Sequence, residues 1–559
     1  MSSAYYALLG QFLPLALLLA AGLTAGRWPA RGLAACQALG TGRWAPWIAG
    51  ALTTLALGLV WGSLSPVATI HDEAAYLLQA QLLASGRLAG PGRPLPEFFE
   101  QFQVFVTPLL TGKYPLGFGL ALVPGIWLGA PALMPLLLNG VAGGLLFALA
   151  RRLTTPGVAA LAWLVWLLAP ATIDYHAAYL SETLSGPLWL AGWWALLEWR
   201  ERGQRRWLVL LALATAACAI TRPLTAVGFA LPCGLVVLVL TARRGSWADL
   251  VVAAGAGTAI VSLLLYQDVR VTGSWRETPW ERYAEVYAPV DRPGFTMDTL
   301  PPERELPPDM QAYIAYFREA HVGFRPGRLP AIFAARVLQV LKDAWGDWLP
   351  ALLPCAAIGL LVASPEVLFG LGCLLSLLLV HLIFAHPVNW SIYYQEGQPA
   401  LAVVTALGMA RALGGLLRRG IATGQAGERS ALAVWLAVAC AAGLALPIVA
   451  DARHKRSLTS AYHSNFRQRL EELPDHSILF VRYEPTHRFY YSLITNPPDL
   501  DRARTWIVHD LGPENQRLIA LAPDRVPYLY IEQKKLMVPL APDGTVAGAP
   551  PTTSADEHR

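Results

Sequence analysis

The stretch APWIAGALTTLALGLVWGSL (residues 45–64) is followed by TIHDEAAYLLQAQLLASGRL (residues 69–88). The first is an apolar run of about 20 residues, which is long enough to cross a bilayer as a helix. The second opens with two adjacent carboxylates, Asp72 and Glu73, at the point where that helix leaves the membrane. Apolar runs of similar length recur along most of the chain, so we predict a polytopic α-helical membrane protein.

Apolar residues follow the carboxylates at helical spacing, at Ala75, Leu78, Leu82 and Leu83. This pattern predicts an amphipathic helix on the membrane surface, which would hold the acidic pair at a fixed depth. An acidic residue at a membrane exit is equally typical of a solvated helix end, and the segment alone does not separate the two interpretations.

The composition agrees with a membrane protein. The chain has 559 residues, of which 55% are hydrophobic and 14% charged, against about 25% charged in a soluble domain. The net charge of +5 is small and no Lys/Arg-rich arm occurs, so nucleic acid is not an expected partner. The six cysteines form no C-x-x-C motif. We interpret them as small buried apolar residues, without a disulfide framework or a zinc site.

Short basic loops orient the predicted helices, because cytoplasmic loops carry an excess of Lys and Arg. The loop with Arg27, Arg31 and Arg43 is predicted to be cytoplasmic, which places Asp72 outside. Both termini are then external, provided that residues 116–128 form a juxtamembrane helix. The other cytoplasmic loops contain Arg151–Arg152, Arg200–Arg206, Arg243–Arg244 and Arg418–Arg419. The twelve predicted spans are 5–25, 45–64, 132–150, 156–173, 183–198, 207–221, 224–241, 248–266, 348–363, 366–385, 400–417 and 431–449.

The predicted organisation has a membrane domain followed by a small external unit. The membrane domain covers residues 1–450 and includes two long external loops, 65–131 and 267–347. Charges and prolines become frequent after residue 450, and apolar runs shorten to strand length. We therefore predict a small α/β domain over residues 455–540 and a disordered tail over 541–559.

Other polar residues lie at predicted external span ends. Glu182 opens a span, where helix capping and dipole chemistry offer an ordinary explanation. Lys113 and Tyr114 precede a proline in the first long loop, and a loop lysine is usually just solvated. Arg222 is a lone charge between two apolar runs, which is costly at membrane depth unless it is paired, functional or snorkelling to headgroups. The segment HPVNWSIYYQEGQPAL begins at His386 and contains further candidates, some of which could belong to an interfacial aromatic belt.

Carboxylates and cations on one membrane face suit a specific chemistry. A carboxylate can act as general base toward an acceptor hydroxyl or amine, and a cation can hold a phosphate leaving group. In the order of these residues along the sequence, the chain resembles the GT-C glycosyltransferases, which include protein O-mannosyltransferases and the lipid A aminoarabinose transferase. The resemblance covers roughly residues 45–450. The motifs that carry it are the Asp72-Glu73 pair, KYPLGFG (113–119), YLSETL (179–184), TRP (221–223) and YYQEGQP (393–399).

The resemblance implies a polyprenyl-phosphate-sugar donor, undecaprenyl-linked in a bacterium, and an inverting transfer to a glycan, lipid or protein acceptor. It implies an enzyme in the bacterial inner membrane whose site faces the periplasm or the cell exterior, and we expect a reaction independent of metal or other cofactors. Asp72 would be the base, with Glu73 beside it and Glu182 as the second acidic residue. The implied donor contacts are Lys113, Tyr114, Arg222, His386, Tyr394 and Gln395.

Two other functions fit parts of the sequence. A transporter or flippase for a lipid-linked sugar would place ionisable residues near the bilayer midplane in broken helices, whereas Asp72, Glu182 and His386 lie at predicted span ends. A non-catalytic envelope assembly protein would use the C-terminal domain for docking. It would tolerate replacement of the acidic residues.

Overall fold

The computed structural model describes residues 30–295, 301–418 and 426–545. The predicted first span at 5–25, Arg419 of the last basic loop and most of the predicted tail at 541–559 lie outside the described residues.

The described chain is mainly helical. Its α-helices are α1 (Ala30–Thr41), α2 (Ala45–Trp61), α3 (His71–Ala84), α4 (Leu116–Trp127), α5 (Leu133–Leu153), α6 (Pro156–Leu167), α7 (Pro170–His176), α8 (Glu182–Arg202), α9 (Arg205–Ala219), α10 (Pro223–Arg244), α11 (Trp247–Thr272), α12 (Pro279–Tyr287), α13 (Pro308–Val322), α14 (Leu329–Trp345), α15 (Leu349–Val362), α16 (Pro365–Val380), α17 (Gln398–Arg418), α18 (Ala426–Glu471) and α19 (Asn515–Leu521). Short 3₁₀ helices include Ser391–Gly397 and Phe489–Tyr491.

Among the described residues, six helical segments are long and apolar enough to cross a membrane, or seven if the bent pair α6–α7 is one span. This number is smaller than the twelve predicted spans. The predicted spans at 183–198 and 207–221 do form helices, α8 and α9, but neither meets that test. Helix α8 ends in a charged turn and α9 has only 15 residues, so both are marginal as independent spans.

The predicted span 156–173 is not straight. Helices α6 and α7 meet at 61°, and Pro170 begins α7. Proline cannot donate the backbone hydrogen bond that would continue α6. The bend sends the chain from α7 toward residues 179–182, where it meets the end of α2 and the beginning of α3.

The helices pack closely where small residues face each other. A Cβ atom on Gly408 of α17 would lie 1.6 Å from the carbonyl oxygen of Cys355 on α15, so only glycine permits this approach. Close contact through small residues is typical of helix association in membranes. On the outer surface, by contrast, large apolar side chains such as Val251 and Leu361 are 70% and 86% exposed, as expected of lipid-facing positions.

The long first loop is folded against the helices. Helix α3 leads into a small antiparallel sheet of β1 (Gly90–Pro91), β2 (Val104–Phe105) and β3 (Leu109–Gly112), in the order β1-β3-β2. Helix α4 follows at the position predicted for a juxtamembrane helix. Together these elements hold Asp72, Lys113 and Tyr114 in one place.

Helix α18 passes the predicted beginning of the α/β domain at residue 455 and ends only at Glu471. The polar sequence after residue 450 contains no proline and no glycine through Glu471, and charged residues such as Arg and Lys are good helix formers. The change from apolar to polar composition near residue 450 therefore lies within one continuous helix.

A four-stranded sheet follows α18. Its strands are β4 (Ser477–Arg482), β5 (Thr505–His509), β6 (Val526–Ile531) and β7 (Leu536–Pro539), in the order β5-β4-β6-β7. Strand β4 is parallel to β5 and β6, and β7 is antiparallel to β6. The first long loop packs on this sheet through Phe98 and Phe99, whose ring centroids lie 6.1 Å from Phe480 and 5.8 Å from Trp506.

Candidate active site

Asp72 lies in the first turn of α3, where the positive end of the helix dipole favours a carboxylate. Its Oδ1 atom accepts a hydrogen bond from the Tyr114 hydroxyl and lies 3.1 Å from Nδ1 of His71. Its side chain keeps 29% of its surface exposed. Asp72 is thus fixed in position while it stays accessible to a ligand.

The surroundings of Asp72 favour its charged form. Partial burial acts to raise the pKa of Asp72, but His71, Tyr114 and Lys113 together outweigh burial and lower the pKa below its usual value. These contacts favour the ionised carboxylate, which is the form that a general base needs.

Lys113 is the buried cation next to this carboxylate. Its Nζ atom lies 3.4 Å from Oδ2 of Asp291 and 4.0 Å from the ring centroid of Trp280. Burial lowers the pKa of Lys113, an effect that Asp291 and Asp72 oppose. The backbone carbonyl of the adjacent Tyr114 is fixed by side-chain amides from Gln79 and Gln267, both at 2.8 Å.

Glu73 faces away from the accessible side of Asp72. It is 1% exposed, accepts a 2.8 Å hydrogen bond from Thr69, and receives Arg456 of α18 at 3.4 Å. These contacts tie the first turn of α3 to the helix that leads into the C-terminal sheet. The geometry supports a positioning role for Glu73.

We expect Glu73→Gln to change turnover by less than about tenfold while it lowers stability by about 1–3 kcal/mol, the usual loss for a buried group deprived of a partner. Glutamine keeps the Thr69 contact and loses only the charge opposite Arg456. The check is turnover together with the thermal midpoint, and Asp72→Asn is the matched comparison. A large loss of turnover with an unchanged midpoint would make Glu73 the better candidate base.

Arg222 lies between two buried carboxylates. Its Nη1 atom forms an ion pair with Glu182, and its Nε atom lies 3.4 Å from Glu396. Ser185 donates a 2.5 Å hydrogen bond to Glu396, and burial raises the pKa of Glu396 above its usual value. The charge that is isolated in the sequence is therefore paired in the structure, with partners from two other parts of the chain.

Two tyrosines connect Asp72 with the Arg222 group. Tyr76 stacks on Tyr114 at a centroid distance of 4.5 Å and lies within hydrogen-bonding reach of Ser181, whose hydroxyl accepts a 3.2 Å hydrogen bond from Arg222. The ring of Tyr393 lies 5.7 Å from Cζ of Arg222. Asp72, Lys113 and Arg222 thus belong to one connected polar region.

The remaining predicted donor contacts form an adjoining group. Nε2 of His386 lies 2.9 Å from the Tyr394 hydroxyl, and both side chains are buried. Gln395 donates to the backbone oxygen of Ser391 at 3.1 Å. This group meets the Arg222 region through Tyr393, whose ring centroid is 4.7 Å from that of His386. Because His386, Tyr394 and Gln395 are buried, this group packs behind the polar region and does not line its accessible side near Asp72.

Three neighbouring residues were not among the predicted site residues: Glu396, Asp291 and Tyr393. Glu396 and Tyr393 lie in the predicted HPVNWSIYYQEGQPAL segment, so their place near the site had a sequence signal. Asp291 lies in a long loop with no local pattern to distinguish it. Among the described residues, no group of three or more His, Cys, Asp or Glu side chains could hold a metal ion, and the expected metal independence stays a prediction.

The fold and the polar region define a class: a polytopic helical membrane protein with ionisable groups gathered at helix ends. No protein-family model matches the sequence, and no curated protein matches it. The solved structures that match this chain include two of ArnT. The crystal structure of ArnT from Cupriavidus metallidurans in the apo state has 14% identity and a TM-score of 0.50, covering 85% of this chain and 91% of that one. The crystal structure of ArnT from the same organism bound to undecaprenyl phosphate has 14% identity and a TM-score of 0.45, covering 88% and 94%.

The similarity to apo ArnT extends over most of both chains, so this protein shares the ArnT fold. This likeness confirms the helical membrane fold that the GT-C resemblance predicted. At 14% identity the likeness concerns the fold, and the roles of individual residues come from the geometry above.

Proposed function

We propose that this protein is a membrane glycosyltransferase that moves a sugar from a polyprenyl-phosphate donor to an acceptor outside the cytoplasm. One observation carries the proposal: Asp72, an accessible carboxylate, shares a hydrogen-bonded group with Tyr114, whose neighbour Lys113 is a buried cation. A base and a phosphate-binding cation side by side suit displacement of a phosphate by a nucleophile.

In the proposed step, Asp72 takes the proton of an acceptor hydroxyl as its oxygen attacks the anomeric carbon of the sugar. The new carbon–oxygen bond forms while the bond from that carbon to the donor phosphate oxygen breaks. The bonding electrons leave with the polyprenyl phosphate, and attack from the opposite side inverts the anomeric centre. No oxidant, reductant or further reactant is needed.

We assign the donor phosphate to Lys113 in preference to Arg222. Arg222 already faces two carboxylates, so a phosphate there would add a third anion to one cation. Among the described residues, Lys113 has one carboxylate ion-pair partner, Asp291 at 3.4 Å, while Asp72 acts on it from a greater distance. The GT-C resemblance supports undecaprenyl phosphate as the donor lipid, and ArnT itself has been crystallised with that lipid.

The positions of the ionisable groups favour an enzyme over a transporter. Asp72 and Glu182 lie in the first turns of α3 and α8, and Arg222 immediately precedes α10. A transporter would carry such groups near the midplane. Helix ends at the external surface of the bacterial inner membrane are where a lipid-linked sugar donor would present its head group.

Lys113→Met is expected to weaken binding of undecaprenyl phosphate by about 10- to 100-fold, the equivalent of one charged hydrogen bond. The measurement is equilibrium binding in nanodiscs. Because the single change leaves Asp291 buried without its cation, the double variant Lys113→Met/Asp291→Asn serves as the folded control and should show the same weak binding. Wild-type affinity in the double variant would refute the phosphate role of Lys113.

The orientation can be tested with an impermeant thiol reagent on a cysteine-free background. Ser65 and Gln204 are both exposed and lie at opposite ends of the helices. We expect Ser65→Cys to react in intact spheroplasts and Gln204→Cys to react only after lysis, because the short basic loops indicate that residue 204 is cytoplasmic. The reverse pattern would put the site on the cytoplasmic side.

A further inference from the structure

Aromatic rings form an arc beside Asp72, which we call the aromatic wall. Its four members are half-buried: Tyr393, Trp390, Tyr316 and Tyr490. In this order, neighbouring ring centroids are 6.4, 6.3 and 6.1 Å apart. The last ring stacks on His71 at 5.9 Å, and His71 contacts Asp72. The wall therefore runs from Tyr393, whose ring lies near Arg222, to Tyr490, which lies on the Asp72 side of the site.

Three distant parts of the chain build this wall. Tyr316 comes from α13, Trp390 from the segment before α17, and Tyr490 from the 3₁₀ helix that follows β4 in the C-terminal unit. Tyr490 lies within hydrogen-bonding reach of both Tyr316 and Trp390. The arrangement thus places hydroxyl and indole N–H groups together at a partly open aromatic surface.

A second layer of aromatic residues lies behind the wall and is buried. It consists of Phe102, Tyr313, Phe317 and Phe489, each no more than 8% exposed. This layer already provides the apolar core that joins the C-terminal unit to α13. The partial exposure of the wall is therefore not explained by packing alone.

The chemistry of the wall selects one class of ligand. The wall contains only Tyr and Trp side chains, and the negative faces of aromatic rings do not attract phosphate. They can pack on the C–H face of a pyranose ring, while the Tyr hydroxyls bond to its hydroxyl groups. A sugar is the common ligand that offers both an apolar face and a rim of hydroxyl groups.

We propose that the aromatic wall binds a pyranose ring of the acceptor, which makes the acceptor a glycan or glycolipid; this inference rests on the proposed glycosyltransferase function. Asp72 is held by Tyr114 on the side of Lys113 and by His71 on the side of the wall. With the donor phosphate at Lys113, the acceptor hydroxyl must approach Asp72 from the other side, where the wall lies. The acceptor subsite thus includes Tyr490 from the C-terminal unit.

The test is saturation-transfer NMR of the full-length protein in nanodiscs with the disaccharide N,N′-diacetylchitobiose as probe. Wild type and Tyr490→Phe should transfer saturation to the sugar C–H protons, since phenylalanine keeps the ring. Tyr490→Ala and Trp390→Ala should bind roughly two- to tenfold more weakly, the equivalent of one aromatic contact. Tyr491→Ala is the matched control, because Tyr491 belongs to the same short helix but packs against Tyr462 and His463.

Three results would overturn the proposal. The first is equal saturation of the probe by wild type and both wall variants, and the second is no saturation by wild type. The third is selective loss of binding of a serine-containing peptide in the wall variants, which would make the acceptor a polypeptide. Release of polyprenyl phosphate from donor is measured in the same samples. Probe binding at the wall without any donor turnover would refute the glycosyltransferase function and leave the sugar site in place.

Discussion

Replacing Asp72 by asparagine is expected to lower turnover by about 10²–10⁴-fold, the usual contribution of a positioned acid–base group. Asparagine is nearly isosteric and its Oδ1 atom can still accept the hydrogen bond from Tyr114, so the site should keep its shape. The ability to accept the acceptor proton is lost together with the negative charge that acts on Lys113. The measurement is single-turnover transfer from a synthetic polyprenyl-phosphate sugar.

The control for Asp72→Asn is thermal stability and donor binding measured on the same preparations. Thermal stability should match wild type, because the amide keeps the Tyr114 contact. Donor binding shows separately whether loss of the Asp72 charge, which acts on Lys113, alters the phosphate side of the site. Asp72→Glu offers a second comparison, since it keeps the carboxylate but displaces it by one methylene. If Asp72→Asn turns over donor at a near-normal rate, Asp72 is not the base, and Glu182 becomes the next candidate.

Arg222→Met is expected to destabilise the protein by about 3–5 kcal/mol, the cost of removing one partner from a buried ion pair. Arg222 is only 12% exposed and its two carboxylate partners are fully buried. Without the guanidinium, Glu182 and Glu396 would face each other in a poorly solvated site. The measurement is the thermal or denaturant midpoint of the purified protein in nanodiscs.

The double variant Arg222→Met/Glu182→Gln separates ion pairing from donor binding. If Arg222 serves mainly to neutralise carboxylates, the double variant should regain much of the lost stability, since one buried charge has been removed. Its donor affinity should then stay close to wild type. Wild-type stability of Arg222→Met combined with weak donor binding would instead support the phosphate role suggested by the sequence.

The position of Asp72 was predictable because it depends on local pattern. An apolar run ends, a carboxylate pair follows, and apolar residues then return at helical spacing, which is how α3 is built. Lys113 and Tyr114 were found through the KYPLGFG segment, and the structure brings both beside Asp72. These features lie within short stretches of chain, where spacing determines which residues share a face.

The partners of Arg222 were not predictable in the same way, although pairing itself was one of the explanations that its sequence position offered. Its partners Glu182 and Glu396 lie in other segments, and a single sequence carries no signal for such long-range contacts. The extension of α18 to Glu471 also has no signal in the hydrophobic pattern, because the residues after 450 are polar and yet continue the helix. The aromatic wall was not predictable either, since Tyr490 lies far along the chain and reaches the site only through the placement of the C-terminal sheet.

The most direct test of the proposed function is transfer by the purified wild-type protein in liposomes. The donor is a synthetic undecaprenyl-phosphate sugar labelled in the sugar, and the acceptors are a glycolipid, a free disaccharide and a serine-containing peptide. We predict that labelled sugar appears on a sugar-bearing acceptor with inverted anomeric configuration, together with an equal amount of undecaprenyl phosphate. Translocation of intact labelled donor across the bilayer, with its sugar–phosphate bond unbroken, would contradict the proposal and establish a transporter.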